Sequence, residues 1–383
     1  MKSKIWVLTI ALVLSALTGW ASNKVSPGKI QPPQQRTEAR IDVAFCLDTT
    51  GSMSGLIEGA KQKIWTIVNT VAAAKPKPVL RIALVAYRDQ GDDYVTRVIP
   101  FTSDLEAMYT QLRAFSAGGG GDEPEHVNRA LQEAVGQLQW SKTPGALKVL
   151  YLVGDAPPHL DYRDGYDYRK ASRQAAGSGI IINTIQCGQT SSTGEIWKEI
   201  ARLAEGKYAA IDQSGGMIAI NSPYDRELTR LSSELNKTYV AYGDSGAAAQ
   251  KAQETNDFAA ASLGATTSAE RAVSKSSGLY KNESWDLVDA VNTKTVALDK
   301  MKPADMPAEL RGKPVAQQRA YLEEQGKKRS RLQQQIQTLS AKRDGYVAEE
   351  SKKLGKKSKD AFDAQVLQTL QDQGKEKGIQ FQK

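Results

Sequence analysis

The chain reads as an α/β protein: a doubly wound (Rossmann-like), mainly parallel six-stranded sheet flanked by helices, followed by an α-helical C-terminal region. Three observations point there. Short apolar runs alternate with helical patterns as far as residue 242, two of those runs end in an aspartate, and no convincing strand pattern follows Gly243. Such alternation places helices on both faces of a mainly parallel sheet. It also gives the crossovers a right-handed path.

The elements follow in order. Residues 23–39 are rich in Pro, Gln and Lys and read as a flexible linker, and the first strand is expected at 41–47, Ile-Asp-Val-Ala-Phe-Cys-Leu. Further strands are expected at 80–87, 94–101, 147–153, 180–186 and 207–211, and helices at 54–74, 104–115, 125–139, 166–176, 195–204 and 225–242. The α/β domain therefore spans 40–243. In 244–383, Ala, Ser, Gln and Lys take over, and Trp285, Leu287, Val288 and Val291 form an apolar stripe at helical spacing suited to packing. Pro303, Pro307 and Pro314 punctuate a loop. Leu332, Ile336, Leu339 and Tyr346 are spaced as an amphipathic helix or a short coiled coil. A lysine-rich run at 352–359 separates them from a last helix with Phe362, Val366, Leu367 and Leu370, a candidate antiparallel partner.

Composition narrows the setting. The 383 residues suffice for roughly two ordinary domains. Lys2 and Lys4, the apolar run from Ile5 to Leu17 and the small residues near Gly19 and Ala21 have the layout of a secretory signal peptide at 1–22. The apolar run is shorter than the ~20 residues a membrane span needs, so no transmembrane span is expected after cleavage. The expected location is therefore outside the cytoplasm: periplasmic, secreted or cell-surface. Cys46 and Cys187 both fall in strand-like runs and read as buried structural thiols. With His126 and His159 as the only imidazoles, a cysteine–histidine zinc cage lacks ligands. The net charge of +8 is concentrated at the C-terminal end, where residues 301–383 hold 18 Lys and Arg against 11 Asp and Glu. An acidic polymer or an envelope component is therefore a question about that region, while a solvated helical surface accounts for the same charge. Nothing indicates specific nucleic-acid binding.

The chemistry concentrates at Asp48-Thr49-Thr50-Gly51-Ser52, directly after the first strand. Asp48, Thr50 and Ser52 place a carboxylate and two hydroxyls at every second position. Three such oxygens suit a hard cation such as Mg²⁺ (or Mn²⁺), which accepts few carboxylates and an otherwise neutral oxygen shell. The fourth apolar run, Val149-Leu150-Tyr151-Leu152-Val153-Gly154-Asp155, ends in a second carboxylate. First and fourth strands adjoin at the switch point of a doubly wound sheet, so Asp48 and Asp155 would face one crevice. Gly118-Gly119-Gly120-Gly121-Asp122-Glu123-Pro124-Glu125 is a flexible loop running into a helix whose acids also suit the helix dipole.

These elements resemble the von Willebrand factor type A domain family over roughly 41–242. That family's metal-ion-dependent adhesion site uses a D-x-[ST]-x-S turn, matched by Asp48, Thr50 and Ser52, and an aspartate after the fourth strand, matched by Asp155. Its middle element is usually a threonine, which this chain lacks. The Asp122-x-Pro124-Glu125 loop resembles the acidic variant of integrin β subunits, which implies Glu125 as the ligand, with Asp122 as the alternative. Ser54 and Gly55 do not match the adjacent integrin site. Ala86-Tyr87-Arg88-Asp89, the glycine-rich loop and Asp155-Ala156-Pro157-Pro158-His159 resemble the α-kinase-linked branch, without a kinase segment. The resemblance implies a binding module rather than an enzyme. A divalent ion would accept an Asp or Glu from a protein partner, with His159, Asp161, Tyr162, Asp89 and Asp92 as candidate rim.

Two rivals stand beside it. In one, the basic helical tail does the binding and the domain merely folds. In the other, the Asp48 turn resembles that of haloacid-dehalogenase-like phosphotransferases, with Asp48 as nucleophile. The second rival lacks a lysine motif before Gly154, spaces Asp161 poorly as a second acid and gives Glu125 no role. Gly51-Ser52-Met53-Ser54-Gly55 holds methionine where a nucleophile elbow needs serine, and Gly118 to Gly121 has no Gly-Lys-Ser/Thr after it.

Overall fold

Strand β1 (Arg40–Asp48) lies in the middle of the sheet, and eight of its nine residues are buried, as suits a strand with both faces covered by helices. It pairs in parallel with β2 (Val79–Tyr87) on one side and β4 (Leu147–Gly154) on the other. The sheet order is β3-β2-β1-β4-β5-β6, with β3 (Thr96–Thr102) antiparallel at one edge and β5 (Ile181–Cys187) and β6 (Tyr208–Ile211) parallel at the other. This is the six-stranded, mainly parallel, doubly wound sheet the sequence predicts. The computed structural model describes residues 38–121, 123–355 and 361–381. The expected signal peptide at 1–22, the linker as far as residue 37, Asp122 and residues 356–359 of the lysine-rich run lie outside the described residues.

Alternation along the strands sorts side chains to two faces. Val43, Phe45 and Leu47 join Val149, Tyr151 and Val153 in one core, under α1 (Ser54–Ala72) and α2 (Leu105–Arg113). Ala44 and Cys46 join Leu150 and Leu152 in the other. That second core lies under α3 (Val127–Gly136), α4 (Tyr168–Gly177) and α5 (Ser191–Leu203). Both cysteines are buried and unpaired, as expected.

Two helix boundaries differ from expectation for identifiable reasons. Helix α3 starts at Val127 rather than 125, because the Glu125 backbone pairs with the loop after β4: its N–H donates to Pro157 O at 3.0 Å and its carbonyl accepts from His159 N at 3.2 Å. Helix α6 (Asp225–Asn236) stops six residues short of the expected end. Beyond it, Val240 N donates to buried Asp286 Oδ1 at 2.7 Å, and Ala241 bridges Asp286 in antiparallel fashion. Those contacts, with Leu287 N donating to Val240 O at 2.8 Å and Tyr242 N to Trp285 O at 2.9 Å, hold 240–242 out of the helix against its helical pattern.

The region after Gly243 is helical: α7 (Gly243–Leu263), α8 (Ala265–Ser276), α9 (Leu287–Asn292), α10 (Val315–Leu354) and α11 (Phe362–Glu376). Leu287 and Val288 of the apolar stripe are buried with Val240, Met306, Leu310 and Leu322 in a third small core. The expected pairing of the last two helices is not how they pack. Helix α10 lies along α6 and α8 and buries Ile336, whereas α11 lies against α1, β4 and β5. The sheet decides this: Phe362, Val366 and Leu370 belong to the same core as Phe45 and Tyr151, a larger apolar surface than a two-heptad seam offers. Tyr151 Oη donates to Val366 O at 3.0 Å, and Asn183 on β5 exchanges amide hydrogen bonds with Gln373 at 3.1 and 2.8 Å.

Buried ion pairs tie the same region down. Arg271 meets Glu106 at 2.7 Å, Arg329 meets Asp286 at 2.6 Å, and Arg343 meets Asp225 at 2.8 Å. Losing one partner of such a pair strands a buried charge, at a cost of about 3–5 kcal/mol. Part of the tail's basic charge is therefore internal rather than displayed.

Candidate metal centre

The Asp48 turn is shaped by its own hydrogen bonds. Asp48 Oδ1 accepts from Thr50 N at 2.9 Å and from Thr50 Oγ1 at 2.7 Å, and Thr50 Oγ1 lies 3.3 Å from Ser52 Oγ. That arrangement occupies one carboxylate oxygen. The other, Asp48 Oδ2, is buried without a partner. Asp48 is wholly buried and Thr50 nearly so, while Ser52 faces solvent. The turn is pinned from below: Thr49 Oγ1 donates to Tyr87 O at 2.9 Å, and Arg88 Nε donates to Thr49 O at 3.1 Å while its Nη2 reaches Ser116 O at 3.0 Å.

Strand pairing brings Asp155 beside it, since Leu47 is in register with Val153. Between them sits Gly154, where a Cβ would lie 2.4 Å from Tyr87 Oη and 2.9 Å from Asp48 Cβ, so only glycine lets the two strand ends approach. Asp155 Oδ2 accepts from Gln213 Nε2 at 2.6 Å. Glu125 reaches the same crevice from the loop before α3. It is 3% exposed, its Oε2 has no partner, and a Cβ at Gly120 would lie 2.8 Å from Thr50 Cβ and 3.1 Å from Glu125 Oε1.

The convergence has an electrostatic consequence. Burial pushes Asp48 up to about 7 against the pull of its Thr50 hydrogen bonds, with the Asp155 charge adding to the rise. Glu125 is pushed to about 9, first by burial and then by the charges of Asp48, Asp89, Asp92 and Asp155. Carboxylates that hold protons this firmly lack a countercharge. A divalent cation would supply it. Among the described residues, no three carboxylate, imidazole or thiolate groups form a ready-made metal cage. An ion here would rest on a mixed set of carboxylates, the Thr50 and Ser52 hydroxyls and water. That is the shell Mg²⁺ favours. The two orphaned buried oxygens make these residues a fit for it.

The expected rim is only partly a rim. Asp89 and His159 are each 6% exposed and form a buried support: Tyr162 Oη donates to Asp89 Oδ2 at 2.7 Å, and His159 stacks on Tyr162 with ring centroids 3.9 Å apart. His159 Nε2 lies 3.2 Å from Asp89 Oδ2 without hydrogen-bond alignment, and its Nδ1 is 2.8 Å from Asp161. Asp92 accepts from Gly120 N at 3.2 Å and fastens the glycine loop. Only Asp161 among them is exposed, and His159 Nδ1 holds it. Tyr87, Arg88 and Gln213 also shape the site. Tyr87 and Arg88 stand in the quoted strand-end motif, whereas no local pattern singles out Gln213.

Comparison with known proteins identifies the domain. Residues 42–221 match the family described as von Willebrand factor A domain. The chain is 28% identical over 212 residues to hemicentin-1 of Homo sapiens, covering 54% of this chain and 3% of that protein. It is 39% identical over 116 residues to von Willebrand factor A domain-containing protein 7 of Homo sapiens, covering 30% of this chain and 12% of that protein. The chain thus spans a small fraction of the length of these curated relatives. The solved SpRpn10 VWA domain is similar at a TM-score of 0.34 and 13% identity, covering 46% of this chain and 89% of that one. Residues 42–221 are therefore a von Willebrand factor A domain.

Proposed function

We propose that this domain is an exported binding module, not an enzyme, that holds Mg²⁺ or Mn²⁺ with Asp48, Thr50, Ser52, Glu125 and Asp155 and uses it to capture an Asp or Glu of a partner protein. The observation that carries the reading is the pair of orphaned buried oxygens, Asp48 Oδ2 and Glu125 Oε2, on carboxylates close enough for the Asp48 charge to raise Glu125. A bound divalent ion would supply an electrophilic position for a carboxylate oxygen, since few carboxylates and two hydroxyls leave part of an octahedral shell to water. The residues do the rest. Thr50 orients Asp48, Gly154 lets the strand ends approach, and the Asp89–Tyr162–His159 stack supports the loop behind Glu125. Export rests on the signal-like start. The described residues contain no helix long and apolar enough to cross a membrane.

Calorimetric titration of Mg²⁺ and Mn²⁺ into the full chain tests the reading. Wild-type protein should bind one divalent ion, and Asp48→Ala or Asp155→Ala should weaken binding by more than about tenfold. Partner capture from an envelope extract should disappear with EDTA and in both variants. Unchanged titrations in both would refute the reading, and a Mg²⁺-dependent phosphatase activity lost in Asp48→Asn would replace it with an enzyme.

A further inference from the structure

Asp155 is gripped by a side chain from outside the strand-end motifs. Its Oδ2 accepts from Gln213 Nε2 at 2.6 Å, and its backbone carbonyl accepts from Thr193 Oγ1 at 3.2 Å. We infer that Gln213 is a positioning residue for the proposed cation site, holding one oxygen of Asp155 so that the other is presented to the ion. This inference rests on the cation reading and adds a residue from outside the strand-end motifs.

An exposed glutamine on a loop ordinarily samples many rotamers, so its effect depends on what restrains it. Here the restraint comes from several sides. A Cβ at Gly188 would lie 2.6 Å from Gln213 Oε1, so the amide rests directly on the turn after β5. The loop after β6 is closed on itself, with Gly215 N donating to Asp212 O at 2.8 Å and Asp212 Oδ1 accepting from Ser214 N at 2.9 Å and Oγ at 2.6 Å. Gly215 has φ +87°, a conformation open to glycine, and a Cβ at Gly55 of α1 would meet Ser214 at 3.1 Å. Finally, Phe362 N, the first amide of α11, donates to Gly215 O at 2.9 Å. The far end of the chain thereby braces the loop that carries Gln213.

The residue type matches the task. A carboxamide N–H donates to a carboxylate oxygen and fixes its orientation without adding charge. Lysine there would compete with the ion for the negative charge, and glutamate would repel Asp155. Outer partners of metal ligands act in this way, fixing orientation at a neutral cost, and removing one typically weakens metal affinity about 10- to 100-fold.

The experiment is Mg²⁺ titration calorimetry on the full-length protein with Gln213→Ala and Ser214→Ala, alongside thermal unfolding in EDTA. Ser214→Ala breaks a hydrogen bond in the same loop without touching Asp155. The expected result is about 10- to 100-fold weaker Mg²⁺ binding in Gln213→Ala, near-wild-type binding in Ser214→Ala, and no change in the metal-free unfolding midpoint for Gln213→Ala. Wild-type affinity in Gln213→Ala overturns the inference and leaves the cation reading standing. Equal losses in both variants also overturn it, since the fold of the loop rather than the amide would then be responsible. A wild-type protein that binds neither Mg²⁺ nor Mn²⁺ removes the cation reading itself.

Discussion

Asp48 and Glu125 each hold a buried carboxylate oxygen without a partner, and that has a consequence for pH. Their folded values, about 7 and about 9, stand above their ordinary values of 3.8 and 4.5. For an acid raised on folding, the protonated form is favoured in the native state, so its contribution to stability is fully present below the ordinary value. It is then lost as pH rises through the folded one. Without metal, the two groups should make the protein progressively less stable between about pH 4 and pH 9. Asp257 does not confound this window. Burial raises it, but Lys275 and Arg271 outweigh burial and hold it at about 2, so its contribution is already complete. Unfolding midpoints measured across the window should fall in EDTA, fall less with saturating Mg²⁺, and fall less in Asp48→Asn. Identical slopes in all three would show that these carboxylates do not set the dependence. At this scale the positions of Asp48, Thr50, Ser52 and Asp155 just at or after strand ends were legible, because each sits in a short local motif. The burial of Asp89 and His159 was not, since it depends on how three separate loops stack.

Elements meet at Gly154, and the close approach of β2, β1 and β4 depends on it. A methyl group there would press on Tyr87 Oη and Asp48 together. Gly154→Ala should cost about 1–3 kcal/mol, as overpacking does, and should weaken Mg²⁺ binding as well, because the strain falls on a carboxylate of the site. Chemical denaturation together with calorimetry checks both. A loss of stability with full metal affinity would mean that the strain relaxes into Tyr87 instead. Element types were largely readable from apolar periodicity, and errors collected at ends where a long-range hydrogen bond overrules local preference. Asp286 draws 240–242 out of helix α6, and the loop after β4 draws Glu125 out of α3. Glu125 is thus better placed for a site than a first-turn helical residue, because its backbone is tied to the same loop that follows Asp155.

For the whole molecule, the decisive packing is that of α11 on a sheet more than a hundred residues earlier in sequence. Phe362, Val366 and Leu370 are each no more than 2% exposed. At about 1.5–3 kcal/mol for each buried large side chain, they represent a large part of the ~5–15 kcal/mol by which domains are stable. Deleting residues from 361 onward should therefore expose β4 and β5 and yield an aggregating or partly unfolded protein, as judged by circular dichroism and hydrogen exchange. A truncated chain with native exchange protection in β4 would disprove this. It follows that removing the tail cannot separate tail binding from domain binding. Substitutions of exposed lysines such as Lys327 and Lys328 can.

By itself the sequence determined the sheet, its helical cover and the strand-end aspartates, because apolar period and adjacency at the switch point are local or topological properties. Tertiary structure alone decided that the C-terminal helices complete the core rather than pair with each other, that Glu125 leaves its helix, and that Gln213 reaches Asp155. Each of these depends on which distant surface buries the most apolar area or satisfies a buried polar group, and no window of sequence contains both partners.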